Sequence, residues 1–230
     1  MNIKEKINLH KYYIIIIIIM FIIISILGII LISKEKTKFI NPYEVKYNSN
    51  DNFLFLGDSI TDFYPLDEYY DNLPVVNSGV SGNKTTDILN DMKNRVYKYN
   101  PTKVFLLIGT NDLNVLDDDI ADKTFNNIKK IIKEIKKNRS EASIYVESIY
   151  PVNPNVDASS SDNRTNENIK KLNKKISNYC KDNNLKYINL YDKLKDEKGN
   201  LKSEYTNDGL HLNSLGYVVV TRELLPYLNE

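Results

Sequence analysis

Two residues far apart in the chain are of the types needed for nucleophilic acyl chemistry. Ser59 lies in Leu56-Gly57-Asp58-Ser59-Ile60-Thr61, directly after the apolar run Phe53-Leu54-Phe55-Leu56. His211 lies in Asp208-Gly209-Leu210-His211; the only other histidine, His10, precedes the N-terminal apolar stretch. A serine hydroxyl is a poor nucleophile unless a base takes its proton, and histidine is the usual base near neutral pH. If Ser59 is the nucleophile, His211 is the base that must reach it. Asp208 stands three residues before His211, so within one loop its carboxylate can hold the imidazole tautomer and stabilise the imidazolium.

Two further segments offer donors for the oxyanion that such an attack creates. Asn77-Ser78-Gly79-Val80-Ser81-Gly82 carries two glycines that permit close backbone approach, with the Gly82 N–H as a donor. Gly109-Thr110-Asn111-Asp112 offers the Asn111 side-chain N–H at the end of a strand; one such donor is worth about 10²–10³ in turnover. The Ser59 N–H, at the start of a helix, is a third. Each motif also has a plain reading: a serine N-cap, an ordinary turn, a helix cap, a surface histidine. Nor is the first motif the Gly-x-Ser-x-Gly elbow, because Thr61 occupies its last position.

The elements around these motifs alternate. Strand-like runs at Phe53–Leu56, Val75–Val76, Lys103–Ile108, Ser143–Val146 and Lys186–Leu190 are separated by amphipathic segments. Ile120, Phe125, Ile128, Ile131, Ile132 and Ile135 recur at helical spacing, as do Ile169, Leu172, Ile176, Tyr179 and Cys180, and a last helix runs from Leu215 to Leu228. Such alternation predicts parallel β-α-β units, with ligand sites at the carboxyl ends of the strands. The first three motifs follow the first three strands, so all three fall on one sheet edge. Asp117–Asp119 precede a helix and are expected to cap it and complement its dipole. Ala158 to Arg164 reads as a polar rim to the site. Tyr64, Tyr69, Tyr70 and Tyr150 suit an acyl or sugar pocket, the core or the surface.

Charge and composition exclude some classes. The chain has 230 residues and a formal net charge of +1; residues 1–50 hold seven Lys and three acids, leaving 24 basic and 27 acidic residues in 51–230. A mildly acidic body argues against a nucleic-acid groove. One cysteine, Cys180, permits no intrachain disulfide and suits burial, and one His with one Cys in the body leaves no ordinary zinc site. From Ile14 to Ile32 only Ser25 and Gly28 interrupt an aliphatic run, and no charge falls between Lys11 and Lys34. That length suits a bilayer-spanning helix, read as an uncleaved signal anchor. The expected organisation is a tail (1–11), a transmembrane signal anchor (12–33), a juxtamembrane linker (34–50) and one domain (51–230). Flanking lysines are balanced, so an extracytoplasmic body is expected from architecture alone.

In this order, the four motifs resemble those of the SGNH (GDSL-type) hydrolase family, over about residues 52 to 228. The family's Ser, Gly, Asn and His align with Ser59, Gly82, Asn111 and His211, and Asp208 is similar to its third triad member. The resemblance implies a flavodoxin-like three-layer α/β/α sandwich with a five-stranded parallel sheet. It implies a serine esterase with a Ser59–His211–Asp208 triad, an oxyanion hole of Ser59, Gly82 and Asn111, and no metal or cofactor. Val104 to Leu113 and Ser148 to Asn153 look most like small esterases similar to platelet-activating-factor acetylhydrolase and lysophospholipase- or acetylesterase-like proteins. The expected partners are a small-molecule, lipid or glycan ester and, through the N-terminal helix, a membrane. Transfer of the acyl group to a cell-envelope glycan, a non-catalytic carbohydrate- or lipid-binding role and a nucleotide-binding role are the alternatives; Asp58 in the first loop would repel phosphate.

Overall fold

Five apolar runs pair into one parallel sheet: β1 (Phe53–Gly57), β2 (Val75–Gly79), β3 (Lys103–Leu107), β4 (Ser143–Glu147) and β5 (Lys186–Ile188), in the order β2-β1-β3-β4-β5. The structure, a computed structural model, describes residues 16–25 and 45–230. All five β1 residues are buried, as a central parallel strand covered on both faces requires. Edge strand β2 is buried only at Ser78. The order reverses beside β1: β2 lies on one side of it and β3 on the other. The loops after β1 and β3 therefore open at the topological switch point, where ligands bind in such sheets.

Helices α1 (Ser59–Asp62), α2 (Thr85–Asn90), α3 (Ile120–Asn138), α4 (Asn166–Asp182) and α5 (Ser214–Leu228) cover the sheet. The stripe read from the sequence is the buried stripe of α3, with Ile128, Ile131, Ile132 and Ile135 inside. In α4 it is Ile169, Leu172, Ile176 and Cys180, so the lone cysteine packs as a small apolar group. Right-handed crossovers put α2, α3 and α4 on one face, where they pack in sequence. On the other face Phe55, Phe105 and Tyr145 are register neighbours, and Phe105 stacks on each of the other two at 4.8 Å. Tyr64 and Tyr70 meet Phe55 there, and Tyr227 of α5 meets Tyr145. Three layers result.

One expectation needs correction. Asp119 occupies the α3 N-cap position but makes no capping bond; Asp117 accepts the Asp119 N–H at 2.9 Å and pairs with Lys123 at 2.5 Å. Of the roles open to the tyrosines, Tyr64, Tyr70 and Tyr150 take the core, where they are buried. The expected transmembrane segment, 12–33, reaches beyond the described residues at both ends. What is described is a helix over residues 16–25, and among the described residues no helix is long and apolar enough to cross a membrane. Val45 is already buried in the core, and the Lys46 N–H donates to Asn229 Oδ1 at 2.9 Å, so the chain joins the core ahead of β1.

Beneath the carboxyl edge of the sheet lies a buried acid, Glu147, which ends β4 and accepts the Tyr150 hydroxyl at 2.6 Å. Burial pushes its carboxyl up to about 7 against the pull of Tyr150, and the charge of Asp58 adds to the rise. An unfolded glutamate titrates near 4.3. Between those values the unfolded chain releases a proton that the folded chain keeps. Glu147 therefore stabilises relatively at low pH and weakens the fold as pH climbs towards 7. Glu147→Gln is expected to raise Tm above wild type at about pH 8, by roughly 2–4 °C per kcal/mol relieved, with a smaller gap near pH 5. Melts at both pH values check this, and a Tm deficit equal at both would contradict it.

Candidate active site

The nucleophile turn is built from backbone packing. Asp58 N-caps α1, its Oδ1 accepting the Ile60 N–H at 3.1 Å, and this places Ser59 as the first helical residue. Gly79, at the end of β2, lets that turn lie against the neighbouring strand, since a Cβ there would fall 2.1 Å from the Asp62 nitrogen. Asp62 Oδ2 in turn accepts the Ser81 N–H at 3.2 Å and hydroxyl at 2.5 Å, and the Val80 N–H donates to the Gly57 carbonyl at 3.2 Å. The second loop is thus hung on the first. Buried Arg95 ties both: its Nη2 donates to the carbonyls of Gly57 (2.8 Å) and Ser78 (2.5 Å), and its Nη1 to Asn83 Oδ1.

His211 arrives from the opposite end of the chain. The loop before α5 is closed by an antiparallel bridge, Thr206 with Leu212. Asp208 Oδ1 accepts the N–H groups of Leu210 (2.9 Å) and His211 (2.8 Å). Asp208 Oδ2 is 2.7 Å from His211 Nδ1, and His211 Nε2 is 2.9 Å from Ser59 Oγ. An ionised Asp208 accepts a hydrogen bond from the Nδ1–H, which keeps the proton on Nδ1 and leaves Nε2 to accept the Ser59 O–H. Partial burial pushes the Asp208 carboxyl up, but the His211 ring and the two amides together outweigh it and hold it below the ordinary aspartate value. The loop is fixed by the segment after β4. The Asn153 N–H donates to the Gly209 carbonyl at 2.7 Å. Asn173 of α4 bonds both backbone groups of Ile149 at 2.8 Å, and Asn166 bonds those of Val152 at 2.9 and 2.8 Å.

The remaining candidates meet at Asn83. Asn111 donates through Nδ2 to the Asn83 carbonyl at 3.0 Å, and Gly82, exposed and at φ +79°, immediately precedes it. Asp112 accepts the Thr85 N–H at 2.9 Å and its hydroxyl at 2.5 Å, which locks the loop after β3 onto the start of α2. Ser59, Asp208 and His211 therefore form one hydrogen-bonded chain, and Gly82 and Asn111 adjoin each other on the two neighbouring loops.

Several residues at the site have roles that sequence reasoning did not reach. Asp58 is buried under the turn, 1% exposed, with Oδ2 lacking a hydrogen-bond partner. It is therefore not displayed to a ligand, contrary to the expectation that it would repel phosphate. Burial pushes its carboxyl up to about 7 against the Ile60 amide; Asp112 raises it further and Arg164 lowers it. Arg95 and Arg164 each bridge loops, yet a lone arginine in a sequence has no pattern to mark it. Phe63 was missed as well: half-exposed, its ring centroid lies 5.1 Å from that of His211. Among the described residues no group of three His, Cys, Asp or Glu side chains is placed to hold a metal. A cleft of about 320 Å³ between Lys136, Tyr145, Lys186 and Glu230 lies at the other sheet edge and contains none of the motif residues.

Two glycines of the site should differ in sensitivity. A Cβ at Gly209 (φ +83°) would fall 2.3 Å from the Asn153 carbonyl oxygen, whereas one at Gly82 (φ +79°) meets nothing within 4 Å. Gly209→Ala is expected to destabilise by roughly 2–4 kcal/mol, clash plus strain, and Gly82→Ala by about 1–2 kcal/mol, strain alone. Urea melts of the two variants check the order, and equal losses would contradict it.

A model of the GDSL-like lipase/acylhydrolase family matches residues 55–219. Among solved structures, a Streptococcus pneumoniae protein described as a platelet activating factor is 31% identical, with a TM-score of 0.71 over 90% of this chain and 98% of that one. A GDSL-like lipase from Bacteroides thetaiotaomicron, 21% identical, shares the fold at a TM-score of 0.70 over 83% of this chain and 98% of that one. Among curated proteins, the N-acylneuraminate cytidylyltransferase of Escherichia coli O18:K1:H7 is 32% identical over 188 residues, which are 80% of this chain and 42% of that protein. The chain thus spans about two fifths of that relative's length. With the family match running from within β1 into α5 and holding all four motifs, the chain belongs to the GDSL-like lipase/acylhydrolase family.

Proposed function

We propose that Ser59, His211 and Asp208 hydrolyse small-acyl or lysophospholipid-type carboxylic esters through an acyl-enzyme. The observation that carries this reading is the continuous chain Ser59 Oγ–His211 Nε2–His211 Nδ1–Asp208 at 2.9 and 2.7 Å. Ser59 Oγ attacks the carbonyl carbon as its proton passes to Nε2. The carbonyl oxygen becomes an oxyanion, bound by the N–H groups of Ser59 and Gly82 and by Asn111 Nδ2. His211, now imidazolium beside Asp208, gives its proton to the departing alkoxide. Water then repeats the sequence on the acyl-enzyme, releasing the acid and free Ser59. No step requires a metal or cofactor. The exposed apolar Phe63 beside His211, and Val80 two residues before Gly82, suit an acyl group better than a charged one.

A second reading has its own support. The 32% identical relative is named for an N-acylneuraminate, an acylated acidic sugar. That favours a sugar hydroxyl as the alcohol of the ester, or as the acceptor that replaces water in an O-acyltransfer. For location, the uncharged run from Ile14 to Ile32 supports a single-pass anchor, and the short N-terminal tail before a large C-terminal body favours a catalytic domain outside the cytoplasm.

On p-nitrophenyl acetate, Ser59→Ala is expected to lose turnover to near background. Asp208→Asn should lower kcat by about 10⁴ through the wrong imidazole tautomer, with Tm little changed. Undiminished turnover in Ser59→Ala would contradict the assignment. A panel of acetyl, long-acyl and acetylated-glycan esters, with product analysis in the presence of a glycan acceptor, separates the two readings. The full chain is expected to sediment with membranes and to need detergent for release; recovery in the soluble fraction without detergent would contradict the anchor.

A further inference from the structure

We propose that Arg164 is a positioning residue for the oxyanion hole and acts through Asn111. The inference rests on the reading of Asn111 as an oxyanion donor. A carboxamide has one end that suits an oxyanion and one that repels it, and its terminal torsion is only loosely held by intrinsic preference. Something must therefore keep the oxygen turned away. In this chain Arg164 Nη2 donates to Asn111 Oδ1 at 2.8 Å, while Nε of the same guanidinium donates to the Thr110 carbonyl at 3.0 Å. The rigid planar fork spans two consecutive residues of the loop after β3, a geometry that a lysine ammonium does not reproduce. With Oδ1 occupied by a cation, Nδ2 takes the other side. It spends one hydrogen on the Asn83 carbonyl, next to Gly82, and the second is left for the oxyanion.

Arg164 is itself well placed to impose this order. It precedes Thr165, the N-cap of α4, whose hydroxyl accepts the Asn168 N–H at 3.2 Å, so a helix of 17 residues anchors it. Its neighbour Asn163 donates through its N–H to Asn114 Oδ1 at 3.0 Å, which fastens the same segment to the loop after β3 a second time. The side chain is part-buried in both bonds, where an ionic hydrogen bond is stronger than in water. A cation on the amide oxygen also draws electron density from Nδ2–H and strengthens it as a donor when negative charge develops opposite. The interaction is then worth more in the transition state than in the ground state, so Arg164 affects kcat and not KM.

A double-mutant cycle on the full chain tests this, with p-nitrophenyl acetate as the probe and Tm recorded for each protein. Asn111→Ala is expected to lower kcat by about 10²–10³. Arg164→Ala should lower kcat roughly tenfold with KM changed less than about twofold. In the Asn111→Ala background, Arg164→Ala should cost less than about twofold more, because the group it acts through is gone. Arg164→Lys should retain part of the rate, and it replaces Arg164→Ala in the cycle if the alanine variant unfolds. An equal kcat loss from the arginine variant in both backgrounds, or an effect on KM or Tm alone, would overturn the proposal while leaving the oxyanion reading intact. An Asn111→Ala variant with wild-type kcat would overturn both, and is told apart by the single variant alone.

Discussion

A serine hydroxyl and an imidazole 152 residues apart meet at 2.9 Å, and the carboxyl edge of the sheet is organised around that contact. Neither partner sits in regular structure long enough to hold it rigidly. Ser59 opens a helix of four residues, and His211 lies in a loop. Loops cannot satisfy their backbone groups in a ladder, so polar side chains satisfy them instead. Arg95 takes the carbonyls that end β1 and β2; Asn173 and Asn166 take the backbone of the segment after β4; Asn153 hands that order on to Gly209. The position of His211 is thus inherited from α4 through side-chain-to-backbone bonds and a final backbone bond from Asn153 to Gly209.

Those bonds have an energetic consequence. Arg95, Asp58 and Glu147 are all buried, and burial shifts each towards its neutral form. A core built for stability alone would place apolar residues there. The apolar bulk needed to offset them is supplied by the covered sheet, with β1 wholly buried and aromatic rings stacked across three strands. Stability is concentrated in the sheet and the long helices, while position is concentrated in the polar edge above them.

This division explains what could be read from the sequence. All five strands and the long helices follow from apolar periodicity, because each buries a continuous run or stripe, as Phe53–Leu56 and Ile128–Ile135 do. The placement of motifs at strand ends follows from alternation and chain order. Arg95, Arg164 and Asn173 left no trace, because each is a single residue whose partners, loop backbone atoms and the Asn83 and Asn111 amides, share no spacing with it in the sequence. Asp58 was misread for a related reason: its type suggested a solvent-facing charge, but the turn it caps directs it inward. The tyrosines stayed open through number; with 17 in the chain, only their positions in the fold show that Tyr64, Tyr70 and Tyr150 are buried.

The central claim is that Ser59 is the nucleophile and that His211 makes it one. The most direct measurement is covalent labelling of the full chain with a fluorophosphonate, followed by peptide mass mapping of the adduct. The account predicts a single adduct on Ser59, formed by the wild type and slowed by roughly 10³-fold or more in His211→Ala. An adduct on another serine, or labelling of Ser59 at an unchanged rate without His211, would contradict it.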